Sequence, residues 1–178
     1  EVFTLEEARV DEEGIWKVLE RTLRQAAERF VETRVQEGEH LRGDLLGKLR
    51  KLETCVAFIE RRSPVILEEY RQKLTDRVRE LLADAQVEES RLLTEGTIFA
   101  DKVCVDEEIV RLRSHIQTMK DTLLAGGSIG RKLDFLAQEL NREANTILSK
   151  SNDLEISNCG IELKTEIEKI REQIQNIE

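Results

Sequence analysis

The stretch that decides the fold runs from residue 126 to residue 150 and reads GGSIGRKLDFLAQELNREANTILSK. It opens with three glycines in five residues. Because glycine loses the most backbone freedom on ordering, one helix is expected to end here and another to begin. Apolar residues then recur at three- and four-residue steps and form one stripe: Leu133, Leu136, Leu140, Ala144 and Ile147. The stretch therefore predicts an amphipathic helix that follows a glycine break.

The opposite side of this helix is polar. Lys and Glu would suffice to keep such a side in solution, but this one is rich in groups that form hydrogen bonds of fixed geometry. Its members are Arg131, Asp134, Gln138, Asn141, Arg142 and Asn145. We expect this side to face a shared cavity that binds a polyanion, and the leucine side to face protein.

The composition predicts an all-α protein, compact or extended, with an aliphatic core. Of the 178 residues, 37% are charged, 4% are aromatic and one is proline, so Leu, Ile and Val must supply the core. Apolar runs stay short of the roughly 18 residues of a membrane span, and the first residues are acidic where a secretory leader is basic. We expect a cytoplasmic protein that does not enter a membrane.

The cysteines Cys55, Cys104 and Cys159 are far apart in the sequence and show no C-x-x-C spacing. Only His40 and His115 are available as further soft ligands. We therefore expect buried, reduced thiols, because a structural zinc site needs closely spaced ligands.

Apolar spacing predicts about five helices, the first of them long. It runs from about residue 12 to residue 62, and its stripe thins near Gly38 and Gly43, where a bend or a division is expected. Ser63 and Pro64 fit an N-cap and a first-turn residue, so a new helix is expected there. This predicts three parts: residues 1–62 with a short strand at 2–5 and the long helix, residues 63–125 with the middle helices, and residues 126–178.

Later helices are expected from about residue 88 to 100, from a cap at Asp106, and from about residue 153 to 177. The last two helices of the chain are joined by residues 149–153, which read SKSND. Both have heptad-like apolar seams, which predicts an antiparallel hairpin.

The helix after Asp106 carries Glu107, Arg111 and His115 four residues apart, beside its buried seam. Spacing alone favours an ordinary surface ladder. The alternative is a phosphodiester site. In that site Arg111 neutralises phosphate, His115 moves a proton, and Glu107 or Glu108 orients them or holds a metal.

Several segments resemble the YicC family of bacterial endoribonucleases. They are GRKLDFLAQELNREANT, DEEIVRLRSHI, EEARVDEEGIW and RVQEGEHLRGDL, and together they cover most of the chain. The family more often has Met where Leu140 stands, a small residue where Leu148 stands and a bulkier aliphatic where Gly160 stands. The family also has an upstream N-terminal domain, so the sequence is expected to be a fragment.

The resemblance implies a metal-dependent endoribonuclease that uses Mg²⁺ or Mn²⁺, acts on RNA and assembles as a ring-like hexamer. The resemblance favours catalytic roles for His115, Glu107 and Arg111. It also favours Glu108 and Asp134 as metal ligands. The residues that the resemblance and the polar face assign to RNA binding are Arg131, Lys132, Gln138, Asn141, Arg142 and Asn145. Glu139 and Glu143 also lie in family-like motifs, near Lys132 by helical phase, although such a pair is more often a surface feature.

Charge and composition keep two alternatives open. The net charge is −9, and aromatic residues are too few for a stacking platform of the RNA-recognition type. One alternative is a noncatalytic helical module whose seams join partners. The other is a chain that binds RNA or forms a ring wall but needs the upstream domain to cut.

Overall fold

The computed structural model describes residues 11–82 and 89–177, and in these ranges it contains α-helices and no strand. The helices are α1 (Glu12–Leu82), α2 (Glu89–Val103), α3 (Asp106–Ala125), α4 (Gly130–Lys150) and α5 (Leu154–Ile174). The predicted all-α fold with a long N-terminal helix is confirmed. The strand expected at residues 2–5 lies outside the described residues. Contacts divide the chain into residues 1–41, called unit 1, and residues 42–178, called unit 2.

Unit 1 contains the first part of α1, whose apolar side chains are exposed. Asp11 caps its start, because Oδ1 accepts a hydrogen bond from the backbone N–H of Gly14 at 3.0 Å. A line of large apolar side chains, here called the unit 1 stripe, is between 53% and 67% exposed: Ile15, Trp16, Leu19, Leu23 and Phe30. One helix cannot bury its own stripe, so this surface is available for contact.

Unit 2 contains an antiparallel four-helix bundle made by α3, α4, α5 and the part of α1 that begins at residue 42. Salt bridges show the direction of each pair. Between α1 and α3, Glu53 lies 2.6 Å from Lys120 and Glu60 lies 2.5 Å from Arg113, so the residue numbers rise along one helix as they fall along the other. The same test holds between α1 and α5, where the pairs are Lys51 with Glu166 and Arg62 with Asp153.

Helix α4 lies between α3 and α5, antiparallel to both. On one side its partners lie on α3, with the pairs Glu108 with Lys150 and Arg111 with Glu143. On the other side, Oδ1 of Asp134 lies 3.7 Å from Nε of Arg171 on α5. The predicted antiparallel hairpin of the last two helices is therefore present.

The bundle core is aliphatic, as the composition predicts. Leu45, Leu49, Leu52, Val56 and Ile59 of α1 are at most 1% exposed. The seam residues of the other three helices are also buried: Ile109, Leu112, Ile116, Met119 and Leu123 on α3, Leu133, Leu136, Leu140, Ala144 and Ile147 on α4, and Leu163, Ile167, Ile170 and Ile174 on α5. None of the helices in the described ranges combines the length and apolar character that crossing a membrane requires.

The predicted break at Ser63 and Pro64 is wrong, because α1 continues through both residues. Proline in a helix interior costs about 3 kcal/mol. The chain around Pro64 is nevertheless held in place. Ser63 is buried, and the guanidinium of Arg62 donates two hydrogen bonds, at 2.8 and 3.0 Å, to the carboxylate of Glu69 on the far side of the proline. Helix α1 also runs without interruption through Gly38 and Gly43, so it is not divided there. The division of the chain at residues 62 and 125 stays a prediction.

The helix ends differ in how well they follow the sequence. The glycine break is present, with Gly126 and Gly127 at φ of 69° and 87°, which side-chain-bearing residues rarely adopt. The expected cap at Asp106 is wrong, since Asp106 is the first residue of α3 and Val105 occupies the capping position without a side-chain hydrogen bond. At the start of α5, Asp153 caps the helix by accepting a hydrogen bond from the N–H of Ile156 at 2.9 Å.

The pKa of Asp153 is lowered from its usual value. The hydrogen bond from the guanidinium of Arg62 is the main cause, and the N–H of Ile156 also lowers the pKa, whereas burial raises it.

Two of the three thiols differ from the expected burial. Cys159 is buried, Cys55 is half-buried and Cys104 is exposed, at the junction between α2 and α3. The Cys159 thiol donates to the backbone carbonyl of Cys55 at 3.4 Å. Contact with the Cys55 thiol, together with burial, raises the pKa of Cys159.

Candidate active site

Three potential metal ligands meet where α3 and α4 pack together. His115 comes from α3, while Glu139 and Glu143 are one turn apart on α4 and so lie on one side of that helix. One ligand atom from each of the three lies within 4.8 Å of the others. His115 and Glu139 are half-buried, and Glu143 is 3% exposed. This group, called the histidine–glutamate cluster, joins residues from two helices that are distant in sequence.

An arginine lies beside each glutamate of the cluster. Nη1 of Arg111 on α3 is 3.6 Å from Oε1 of Glu143, and its Nη2 donates to Glu107. Nη1 of Arg142 on α4 is 3.9 Å from Oε2 of Glu139. The site thus has an imidazole and two carboxylates at its centre and two guanidinium groups at its edge.

The chemistry of the cluster fits a divalent cation. Carboxylate oxygens suit Mg²⁺ and Mn²⁺, and an imidazole nitrogen extends the range to softer first-row metals. A carboxylate as buried as Glu143 needs a positive partner. Arg111 supplies it only at an ion-pair distance, which is longer than a hydrogen bond. Three protein ligands also leave coordination positions for water and substrate.

Of the residues predicted to be catalytic, the structure places Arg111 and His115 at the cluster. Glu107 reaches it indirectly, as the hydrogen-bond acceptor of Arg111. Its own carboxylate is exposed, with 69% of the side chain accessible. Glu107 is thus placed to orient the guanidinium of Arg111.

The two predicted metal ligands lie on different helices, Glu108 on α3 and Asp134 on α4, and face different partners. Oε1 of Glu108 accepts from Nζ of Lys150 at 2.7 Å, and the same ammonium donates to the carbonyl of Cys104 at 3.0 Å. Oδ2 of Asp134 accepts from Gln138, on the same helix, at 2.7 Å, and its Oδ1 lies 3.7 Å from Nε of Arg171 on α5. The structure therefore does not bring Glu108 and Asp134 together.

The residues predicted to bind RNA lie on the outward side of α4. Asn141 is half-buried, and the other five are exposed: Arg131, Lys132, Gln138, Arg142 and Asn145. Arg142 connects this surface to the cluster through its contact with Glu139. The expected polyanion-binding cavity stays a prediction.

Glu139 and Glu143 are the residues that the sequence did not single out as ligands. Their four-residue spacing and shared phase are visible in the sequence, but a surface pair has the same spacing. The missing information is the register of α3 against α4, which places His115 opposite Glu139. This register could have been predicted by pairing the apolar seams of α3 and α4 as antiparallel helices on either side of the glycine break.

Comparison with known proteins supports what the residues suggest. Residues 59–178 match the family described as "Endoribonuclease YicC-like, C-terminal". The chain belongs to this family. The resemblance inferred from the sequence is thus confirmed.

Two relatives carry the same name. The chain is 45% identical over 179 residues to "Probable endoribonuclease YicC" of Clostridioides difficile (strain 630), a match that covers 100% of the chain and 61% of that relative. It is 37% identical over 149 residues to "Probable endoribonuclease YicC" of Haemophilus influenzae (strain ATCC 51907 / DSM 11121 / KW20 / Rd), covering 84% of the chain and 51% of that relative. The chain thus spans less than two thirds of the length of either family member.

Proposed function

We propose that this chain carries the active site of an endoribonuclease that hydrolyses RNA phosphodiester bonds with a divalent cation, Mg²⁺ or Mn²⁺. The observation that carries the proposal is the approach of His115 on α3 to Glu139 and Glu143 on α4, with an arginine beside each glutamate. The names of the relatives support the choice of RNA as substrate.

Glu139, Glu143 and His115 hold the cation, since they are the potential ligands that the described part of the chain gathers in one place. When bound, the cation activates a water molecule and neutralises charge on the phosphate. Arg111 and Arg142 exchange their glutamate contacts for the nonbridging phosphate oxygens, and a guanidinium can bind two of these at once. Glu107 keeps Arg111 oriented through its hydrogen bond.

Substitution of the cluster tests the proposal. Glu139→Gln and Glu143→Gln keep the size of each side chain but remove its charge, so we expect each to lower cleavage of a single-stranded or hairpin RNA by at least about 100-fold. Glu168→Gln is the matched control, because Glu168 is an exposed glutamate on α5. Equal cleavage by all three variants contradicts the assignment.

Binding of Mn²⁺, measured by calorimetry, is a second readout that does not require cleavage. His115→Ala separates two roles for this residue. Loss of Mn²⁺ affinity identifies a ligand, whereas normal affinity with lost cleavage identifies a proton carrier, the role first inferred from the sequence. If the chain binds Mn²⁺ but cuts RNA only as part of a longer protein, the upstream region completes the site.

We also propose that the chain assembles with copies of itself through the unit 1 stripe. The support is the exposure of five large apolar side chains along one side of a helix, each 53% to 67% accessible. Such a surface costs free energy in water and is typical of an interface. Self-assembly through this stripe is compatible with a noncatalytic interaction module and also with a nuclease. One chain can carry both a contact surface and an active site.

A further inference from the structure

Phe135 is an exposed aromatic residue on the helix that supplies the two glutamates of the candidate site. Its side chain is 58% exposed, whereas the neighbouring leucines Leu133 and Leu136 are at most 5% exposed. The other aromatic residues that the structure describes in unit 2 are half-buried. Phe58 packs against the core, and Tyr70 stacks on Phe99 with ring centroids 3.5 Å apart.

The surroundings of Phe135 are polar and basic. Arg131 lies four residues before it, Gln138 three residues after it and Arg142 seven residues after it, so all share one side of α4 and all are exposed. A surface that binds another protein through an aromatic side chain usually has an apolar centre. Here two arginines and a carboxamide border the ring. The acidic neighbours are engaged, since Glu139 lies 3.9 Å from Arg142 and Asp134 accepts a hydrogen bond from Gln138. The arginines can therefore complement a polyanion that carries flat bases.

Phe135 is also close to the proposed chemistry. Glu139 of the histidine–glutamate cluster is the residue four positions later, about one helical turn and about 6 Å along the axis. Arg142 joins the two features, because its guanidinium lies 3.9 Å from Glu139 while the residue shares the side of Phe135. A nucleotide whose phosphate lies at the cluster can therefore place a neighbouring base on the ring.

We propose that Phe135 is a stacking platform for one unpaired nucleobase of the RNA, next to the phosphodiester that is cleaved, with Arg131 and Arg142 on the adjoining phosphates. The inference rests on the proposed function and adds a substrate class to it, RNA that is single-stranded at the cleavage position. A base within a duplex is already stacked and cannot present its face to a side chain. Aromatic residues are scarce in this chain, but one exposed ring is sufficient for one base.

The test measures binding of short single-stranded RNA in the presence of a chelator, so that cleavage does not interfere. Stacking on an aromatic side chain changes the dissociation constant by about 5- to 150-fold. We expect Phe135→Leu to weaken binding within this range and Phe135→Trp to preserve it. Ile161→Ala is the control, since Ile161 is 57% exposed and lies on α5.

A series of RNAs, each with one abasic nucleotide at a different position, identifies the stacked base. One position is expected to reproduce the loss caused by Phe135→Leu, and the two changes together are expected to cost no more than either alone. A loss that adds equally at every position overturns the proposal. Normal RNA binding by Phe135→Leu also overturns the proposal. If Phe135→Leu instead changes the mass of the assembled protein and leaves RNA affinity unchanged, the ring belongs to a protein contact.

Fluorescence gives an independent readout. Trp16 is the one tryptophan in the sequence, so Phe135→Trp in a Trp16→Phe background reports on position 135 alone. Intact single-stranded RNA is expected to quench this emission, and RNA abasic at the identified position is expected not to. If RNA binds as described but is never cut, the proposed function fails while the stacking site stands. If the parent chain cuts RNA and Phe135→Leu binds it normally, the stacking site fails while the proposed function stands.

Discussion

Glu143 is 3% exposed, and its carboxylate lies where α3 and α4 meet. Removing such a charge from water is costly unless a cation is close. Arg111 fills this role at 3.6 Å, with its guanidinium also held by Glu107. The divalent cation proposed for the cluster would compete for the same carboxylate, so Arg111 and the cation would be alternative partners of Glu143.

This competition predicts the behaviour of Arg111→Met. Without metal, the variant leaves Glu143 without its partner, and we expect the free energy of unfolding to fall by about 1 to 2 kcal/mol, less than for a fully buried pair because Arg111 is half-exposed. Mn²⁺ is then expected to raise the melting temperature of Arg111→Met more than that of the parent chain. Thermal unfolding followed by circular dichroism, with and without Mn²⁺, measures both effects.

Arg113→Met is a closely matched control for this prediction. Arg113 lies on the same helix, 47% of its side chain is accessible against 48% for Arg111, and its partner Glu60 is exposed. Surface pairs of this kind contribute at most about 1 kcal/mol, and we expect no added response to Mn²⁺. The same Mn²⁺ response in both arginine variants would show that Glu143 is not a ligand.

Between α4 and α5, two departures from the family pattern lie against each other. A Cβ atom added to Gly160 on α5 would lie 2.7 Å from Cδ2 and 2.8 Å from Cγ of Leu148 on α4. The resemblance noted in the sequence implies a small residue at position 148 and a bulkier aliphatic at position 160. Leu148 on α4 therefore occupies the space that a larger side chain at position 160 on α5 would need.

The close approach of Leu148 to Gly160 predicts that Gly160→Ala changes stability in a direction that depends on the residue at position 148. Gly160→Ala alone is expected to destabilise by about 1 kcal/mol, since the crowding of Leu148 exceeds the gain in helix propensity. In a Leu148→Ala background the crowding is absent, and Gly160→Ala is expected to stabilise by about 1 kcal/mol. Urea unfolding of the four chains in this cycle measures the coupling.

Gly47→Ala provides the comparison for the helix-propensity part of this argument. A Cβ at Gly47, in the middle of α1, meets no atom within 4 Å. We therefore expect this substitution to stabilise by about 1 kcal/mol in any background. If Gly160→Ala stabilises the chain as much as Gly47→Ala does while Leu148 is present, α4 and α5 have space for the added methyl group, and the crowding by Leu148 is absent.

Across the whole molecule, the sequence predicts what depends on one helix and fails where two helices meet. The seams of α3, α4 and α5 are buried as expected because helical periodicity is a local property. His115 and Arg111 lie at the candidate site, and their catalytic roles stay a prediction. The position of Glu139 opposite His115 and the pairing of Glu108 with Lys150 depend on the register between helices, which periodicity within one helix does not contain. Pro64 is a similar case, since its local preference does not contain the burial of Ser63 or the hydrogen bonds of Arg62 to Glu69.

Assembly is the property of the whole chain that the unit 1 stripe makes testable. Leu19 and Leu23 are one turn apart on the stripe, and replacing both by Asp adds two charges to a surface that needs to be dry in an interface. We expect the double variant to sediment at lower mass than the parent chain in analytical ultracentrifugation, with unchanged helical circular dichroism. Val35→Asp is the control, because Val35 is 60% exposed but lies off the stripe by helical phase. A parent chain that sediments as a monomer, or a Val35→Asp variant that dissociates equally, removes the stripe as the contact surface, because a specific interface must depend on which side of the helix carries the charge.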